Sequence, residues 1–219
     1  MNKEAVPGKT GSARRKKAAG KMLIVFRRTG ERRYAVEARR QSWPDLEMNP
    51  APGFDSLIPH DLMHLVVEAQ LGLDQGIYGQ LASGGDAGSF RPISTEHQSA
   101  RSAARLRRHQ QARGKPILRA GRTDCVQSER ATYVCMNEWL RRNRMSGAVS
   151  SSTARSQPST QVESSAPAQA IPGLDEQRLA SICRHLDELS AVWSELKVGD
   201  SMSVSWPDLS VSKTNSRAN

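Results

Sequence analysis

Two imidazoles four residues apart, in His60-Asp61-Leu62-Met63-His64, are the residues of this chain best placed to do chemistry. On an α-helix, positions i and i+4 share one face, a spacing at which two histidines can grip a single divalent metal ion. Glu68 extends that face, and His60, His64 and Glu68 fall within about 80° of arc, yet i and i+8 stand about 12 Å apart along the axis. One ion cannot take all three. A third ligand must come from elsewhere, and Asp86, Glu96 and His97 are the candidates by residue type. Such a centre suits zinc, iron or manganese, with Asp61 or Glu68 orienting or activating a bound water as the catalytic residue of a hydrolase-like protein.

Known motifs narrow this reading. In the zinc-peptidase helix the residue after the first histidine is a glutamate general base, whereas Asp61 is one methylene shorter. Phosphohydrolases built on a His-Asp doublet need another histidine upstream, and none precedes His60. The pattern HDxxH, carried by His60, Asp61 and His64, is similar to the helical scaffold family of coenzyme Q biosynthesis. That family adds a glutamate twelve positions after the second histidine, where this chain has Gly76. From Arg27 to about Phe90 the chain also resembles a family of uncharacterised bacterial proteins. The likeness lies in Pro59-His60-Asp61-Leu62-Met63-His64, Gly76-Ile77-Tyr78-Gly79-Gln80-Leu81-Ala82 and Gly84-Gly85, and in a C-terminal helix with Trp before a short strand. It implies one unit over most of the chain.

Other motifs carry less. Gly8-Lys9-Thr10 lacks the earlier glycine and the preceding strand of a phosphate-binding loop. Gly84-Gly85-Asp86-Ala87-Gly88 reads as a connection. Cys125, Cys135 and Cys183 form no CxxC pair and cannot all be paired, which fits packing roles in a reducing compartment. Ser42-Trp43-Pro44-Asp45-Leu46 recurs as Ser205-Trp206-Pro207-Asp208-Leu209, each copy reading as a strand-ending corner.

These residues need a scaffold, and the sequence predicts an α+β fold. Met22–Phe26 and Arg33–Arg39 read as a β-hairpin turning at Thr29-Gly30-Glu31-Arg32. A helix over 57–71, capped by Asp55-Ser56 and tolerating Pro59 in its first turn, carries the histidines and stops at Gly72. A short segment at 77–81 and two arginine-rich helical stretches, about 94–113 and 124–144, follow. Leu179, Ile182, Leu186, Leu189, Trp193 and Leu196 step by three and four, the seam of an amphipathic helix. Residues 200–206 then alternate as an edge strand. The simplest architecture is a small antiparallel sheet, made of the hairpin plus this strand and packed by helices. The boundaries expected are a disordered basic arm at 1–20, the hairpin and helical part at 21–144 and a flexible linker at 145–172. A helix and strand at 173–209 complete the core, and a disordered tail occupies 210–219.

The net charge is +10. Residues 9–40 and 101–144 each hold twelve Lys/Arg, while 41–100 hold only Arg91 against eight acids, so the excess lies in two blocks. This raises a second reading, a nucleic-acid-binding accessory protein contacting phosphates through Arg14, Arg15, Lys16, Lys17, Arg105, Arg107 and Arg108. A third is an adaptor whose partner pairs with the seam helix, and the candidate partners are nucleic acid or an acidic protein. The apolar run Met22–Phe26 is too short for a secretory signal or a membrane span, so the expected location is the cytoplasm, with no membrane partner.

Overall fold

The hairpin is the centre of the sheet. The computed structural model of the chain describes residues 20–93, 99–145 and 170–214. In it, β1 (Met22–Gly30) pairs antiparallel with β2 (Arg33–Arg40), and Ile24 faces Ala38 while Phe26 faces Val36. Alternation puts Met22, Ile24 and Phe26 on the same side as Tyr34, Val36 and Ala38, all buried. Two short strands extend the sheet past β2: β3 (Leu46–Met48) and β4 (Arg91–Pro92).

Past β1 lies β5 (Ser201–Trp206), whose Met202, Val204 and Trp206 pair with Phe26, Ile24 and Met22 and complete the apolar face. The C-terminal strand thus joins the N-terminal hairpin as the sequence predicts. It is not an edge, however, because β6 (Val211–Thr214) pairs outside it and gives the order β4-β3-β2-β1-β5-β6. Residues 211–214, expected in a disordered tail, are therefore strand. All four are exposed, so no apolar alternation marks them in the sequence.

Helix α1 (His60–Leu71) begins three residues later than expected, since a residue before proline is disfavoured in helical geometry. Pro59 is the cap, its carbonyl accepting from the Leu62 amide, while Asp55 accepts from the Leu57 and Ile58 amides one turn earlier. Seven consecutive residues, Leu62 to Glu68, are buried, so α1 is enclosed on all sides. The short α2 (Ile77–Ala82) packs against it, and Tyr78 stacks on Trp206 of β5 at 5.9 Å. Helix α4 (Arg122–Met145) and helix α5 (Glu176–Glu195) enclose the remaining sides.

In α5 the predicted seam is the core face. Ile182, Leu186, Leu189 and Trp193 are buried, and Trp193 meets the Tyr34 ring edge-on at 5.9 Å. Trp139 of α4 donates its indole N–H to Asp187 of α5 at 2.7 Å. One apolar cluster runs from the sheet through α1 to α4 and α5. Cys135 and Cys183 belong to it as free thiols.

Helix α3 (Ala100–Ala120) runs on through Pro116, past the end expected near residue 113, and stops at Gly121. It buries only Ala103, Gln110 and Gly114, and hydrogen bonds help join it to the body. Gln110 donates to the Gly84 carbonyl at 2.8 Å. Beside it the buried Arg40 donates to the carbonyls of Leu81, Gly85 and Pro44. Among the described residues no helix is long and apolar enough to cross a membrane.

Candidate metal centre

The two histidines converge as their spacing predicts. His60 Nε2 and His64 Nε2 lie 3.1 Å apart, with the rings edge to face. Two nitrogens bound at 2.0–2.1 Å to one tetrahedral ion would stand about 3.3 Å apart, so the pair already has near-ligand geometry. His60 is exposed on the first turn of α1, while His64 is 2 % exposed, one turn deeper.

The third member comes from α4. Glu129 Oε2 lies 3.6 Å from His64 Nε2, and ligand atoms of His60, His64 and Glu129 all fall within 4.8 Å of one another. Sequence reasoning missed Glu129. It stands 65 positions beyond His64, and only the packing of α4 on α1 brings it there; no motif or local spacing marks it.

The other edge of the His64 ring is fixed. Its Nδ1 is 2.8 Å from Ser128 Oγ and 3.3 Å from Thr132 Oγ1, both buried on α4. Ser128 Oγ also donates to Glu68 Oε1 at 2.8 Å. A hydroxyl has one proton, so while Glu68 is ionised Ser128 spends it on the carboxylate and accepts from His64. With Glu68 ionised, this hydrogen-bond chain places the imidazole proton on Nδ1 and leaves the lone pair on Nε2.

Burial, with the neighbouring His60 adding to it, pulls the His64 pKa down to about 4, so near neutrality the ring is uncharged. The 3.6 Å approach of Glu129 is consequently not an ion pair. A neutral nitrogen lone pair and a carboxylate face one another with His60 beside them, and a cation among the three would satisfy all of them.

Glu68 is not part of that group. Its side chain is fully buried and turns to the start of α2, where Oε1 accepts from the Ile77 amide at 2.8 Å and Oε2 from the Tyr78 amide at 2.9 Å. A carboxylate suits a helix N-terminus, where amides lack intrahelical partners. Burial pushes its pKa up to about 7, against the lowering effect of these donors. It leaves room for no side chain at Gly76, where a Cβ would stand 2.6 Å from both Glu68 oxygens.

Asp61 accepts from the Tyr34 hydroxyl at 2.5 Å, and the Tyr78 hydroxyl donates to the Asp61 carbonyl at 2.8 Å. Both anchor the start of α1 to neighbouring elements. Burial raises the Asp61 pKa. Asp86 lies apart from the histidine pair, accepting from the Gly88 amide at 3.1 Å and packing against Gly114 of α3. Glu96, His97 and the basic residues Arg14, Arg15, Lys16 and Lys17 lie outside the described residues. Arg105, Arg107 and Arg108 are exposed on α3, with no part in this centre.

Comparison with family models, with curated proteins and with solved structures finds no match to this chain.

Proposed function

We propose that this protein binds one divalent transition-metal ion through His60, His64 and Glu129, and uses it in hydrolase-type chemistry. The observation that carries the reading is the convergence of His64 Nε2, the His60 nitrogen at 3.1 Å and the Glu129 carboxylate at 3.6 Å, with ligand atoms of all three within 4.8 Å of one another. Two imidazoles and one carboxylate are a donor set for zinc, and also for iron or manganese. Three protein ligands leave a coordination position for water, and the exposure of His60 and Glu129 lets a substrate approach it. A metal held by these three residues would lower the pKa of a bound water to about 7 and supply hydroxide near neutrality. Asp61 and Glu68 then serve the fold, Asp61 by tying α1 to Tyr34 and Glu68 by holding the relay and capping α2.

Untagged protein purified without chelator and analysed by inductively coupled plasma mass spectrometry should carry close to one equivalent of zinc, iron or manganese. His60→Ala and Glu129→Gln should lower that content with the melting temperature kept, as both side chains are exposed. Ser128→Ala, which leaves all three ligands in place, should weaken affinity about 10–100-fold, the usual effect of losing a ligand's supporting partner. Metal-free wild-type protein that takes up none of the three ions from solution would overturn the reading.

A further inference from the structure

The outer face of α3 has a composition that its packing does not account for. Arg101, Arg105, Arg108, Lys115 and Arg119 step by four, three, seven and four, and at 3.6 residues per turn they fall within about 80° of arc. All five are exposed, and the buried Ala103, Gln110 and Gly114 lie on the opposite side, against the body. Arg113, between the two faces, sets its guanidinium 4.2 Å over the Trp43 ring, which ties the helix to the segment between β2 and β3.

No acid occurs between residues 100 and 120, and among the described residues no ion pair engages the five. A helix face that only needs solvation usually interleaves both signs, whereas like charges three and four apart destabilise the helix carrying them. From Arg101 to Arg119 the stripe extends about 27 Å.

We propose that this stripe binds the phosphate backbone of double-stranded nucleic acid without reading its sequence. A duplex offers one negative charge per about 1.7 Å of its axis, so a straight row of cations this long meets phosphates along its whole length. A protein partner is disfavoured because its interface would need apolar or aromatic anchors, and Ala112 is the only apolar residue within the arc. A membrane surface would need an apolar side to insert, and the arc that carries the charges holds only Ala112. The stripe itself holds no aromatic side chain on which unpaired bases would stack, which favours the duplex over single strands.

The test uses the full chain and a fluorescein-labelled 20-base-pair DNA of mixed sequence, followed by anisotropy from 50 to 200 mM NaCl. Neutralising Arg101, Arg105 and Arg108 together to Gln removes three phosphate contacts and should flatten the slope of log K against log salt by about 2.7. Losing three like charges from an exposed face should leave the melting temperature unchanged or raised. A charge-matched control, Arg178, Arg184 and Lys197 to Gln on and just past α5, should keep the wild-type slope. The proposal is overturned by a wild-type chain that does not bind the duplex at 50 mM, by an unchanged slope in the α3 variant, or by an equal loss in the control.

Discussion

Glu68 and His64 are joined through one hydroxyl, and their buried environments should make the stability of the metal-free protein respond to pH in opposite senses. Glu68 is raised from 4.5 to about 7. Between those values the unfolded chain has lost the proton that the folded one keeps, so stability fades as pH rises through the window. His64 is lowered from 6.5 to about 4. There the unfolded chain gains a proton that the folded one refuses, so stability fades as pH falls. The windows overlap from 4.5 to 6.5, and in the wild type the two slopes, each about 1.4 kcal/mol per pH unit, largely cancel. Removing one member exposes the other. Glu68→Gln should lose about 2–3 kcal/mol as pH falls from 6.5 to 4.5, relative to wild type. His64→Asn, which keeps an N–H donor toward Ser128, should lose a similar amount as pH rises over the same range. Asp61, also raised by burial, adds to the Glu68 sense and remains in both variants. The assay is urea unfolding in EDTA at four pH values, read as midpoint shifts at constant m. Two variants with the same sign of slope, or both parallel to wild type, would refute the reasoning.

Gly76→Ala places a methyl group 2.6 Å from the Glu68 oxygens at a φ of −67°, which alanine adopts without strain. The carboxylate must withdraw from the Ile77 and Tyr78 amides, and at about 1.5–3 kcal/mol per charged hydrogen bond the cost should be about 3–6 kcal/mol by denaturant unfolding; a loss below about 1 kcal/mol would contradict this account of the α2 start. Ending the chain after Met145 removes α5 and β5, with Ile182, Leu186, Leu189, Trp193, Met202, Val204 and Trp206 from the core. At about 1.5–3 kcal/mol per large buried side chain the loss is about 10–20 kcal/mol, equal to or above the ~5–15 kcal/mol stability of an ordinary domain, so calorimetry should find no cooperative transition in the fragment.

What the sequence disclosed follows from how local each signal is. The β1–β2 hairpin and the α5 seam were legible because alternation and three-four spacing report one buried face against one exposed face. The place of β5 followed from needing a partner for its alternating residues. In α1 the element was legible, but its enclosure was not, since burial all round erases the contrast on which periodicity depends. Strands of three and two residues, β3 and β4, are too short to alternate measurably, and the exposed β6 has nothing to alternate. His60 and His64 could be paired from the sequence because one helix fixes both. Glu129, and the structural use of Asp61 and Glu68, depend on which elements pack against α1, which no local pattern states.

That difference also explains how work is divided among the polar residues of α1. A helix enclosed on every side can keep a polar group only where a neighbouring element answers it. Glu68, the deepest, is answered by the α2 amides and by Ser128; Asp61 is answered by Tyr34; His64 has Ser128 and Thr132 at Nδ1 and His60 at Nε2. The second nitrogen of His64 is thus the one place along this row where buried polar capacity is aimed at two exposed side chains, His60 and Glu129, and not at the protein interior. Buried on the enclosed helix α1, His64 would supply the fixed ligand geometry that the proposed metal site requires. His60 and Glu129, at the surface, are free to adjust by a few tenths of an ångström to the radius of the ion. On the proposed function, a centre built from one rigid and two adaptable ligands would accommodate more than one divalent metal, and the ion bound would be set by availability as much as by the site.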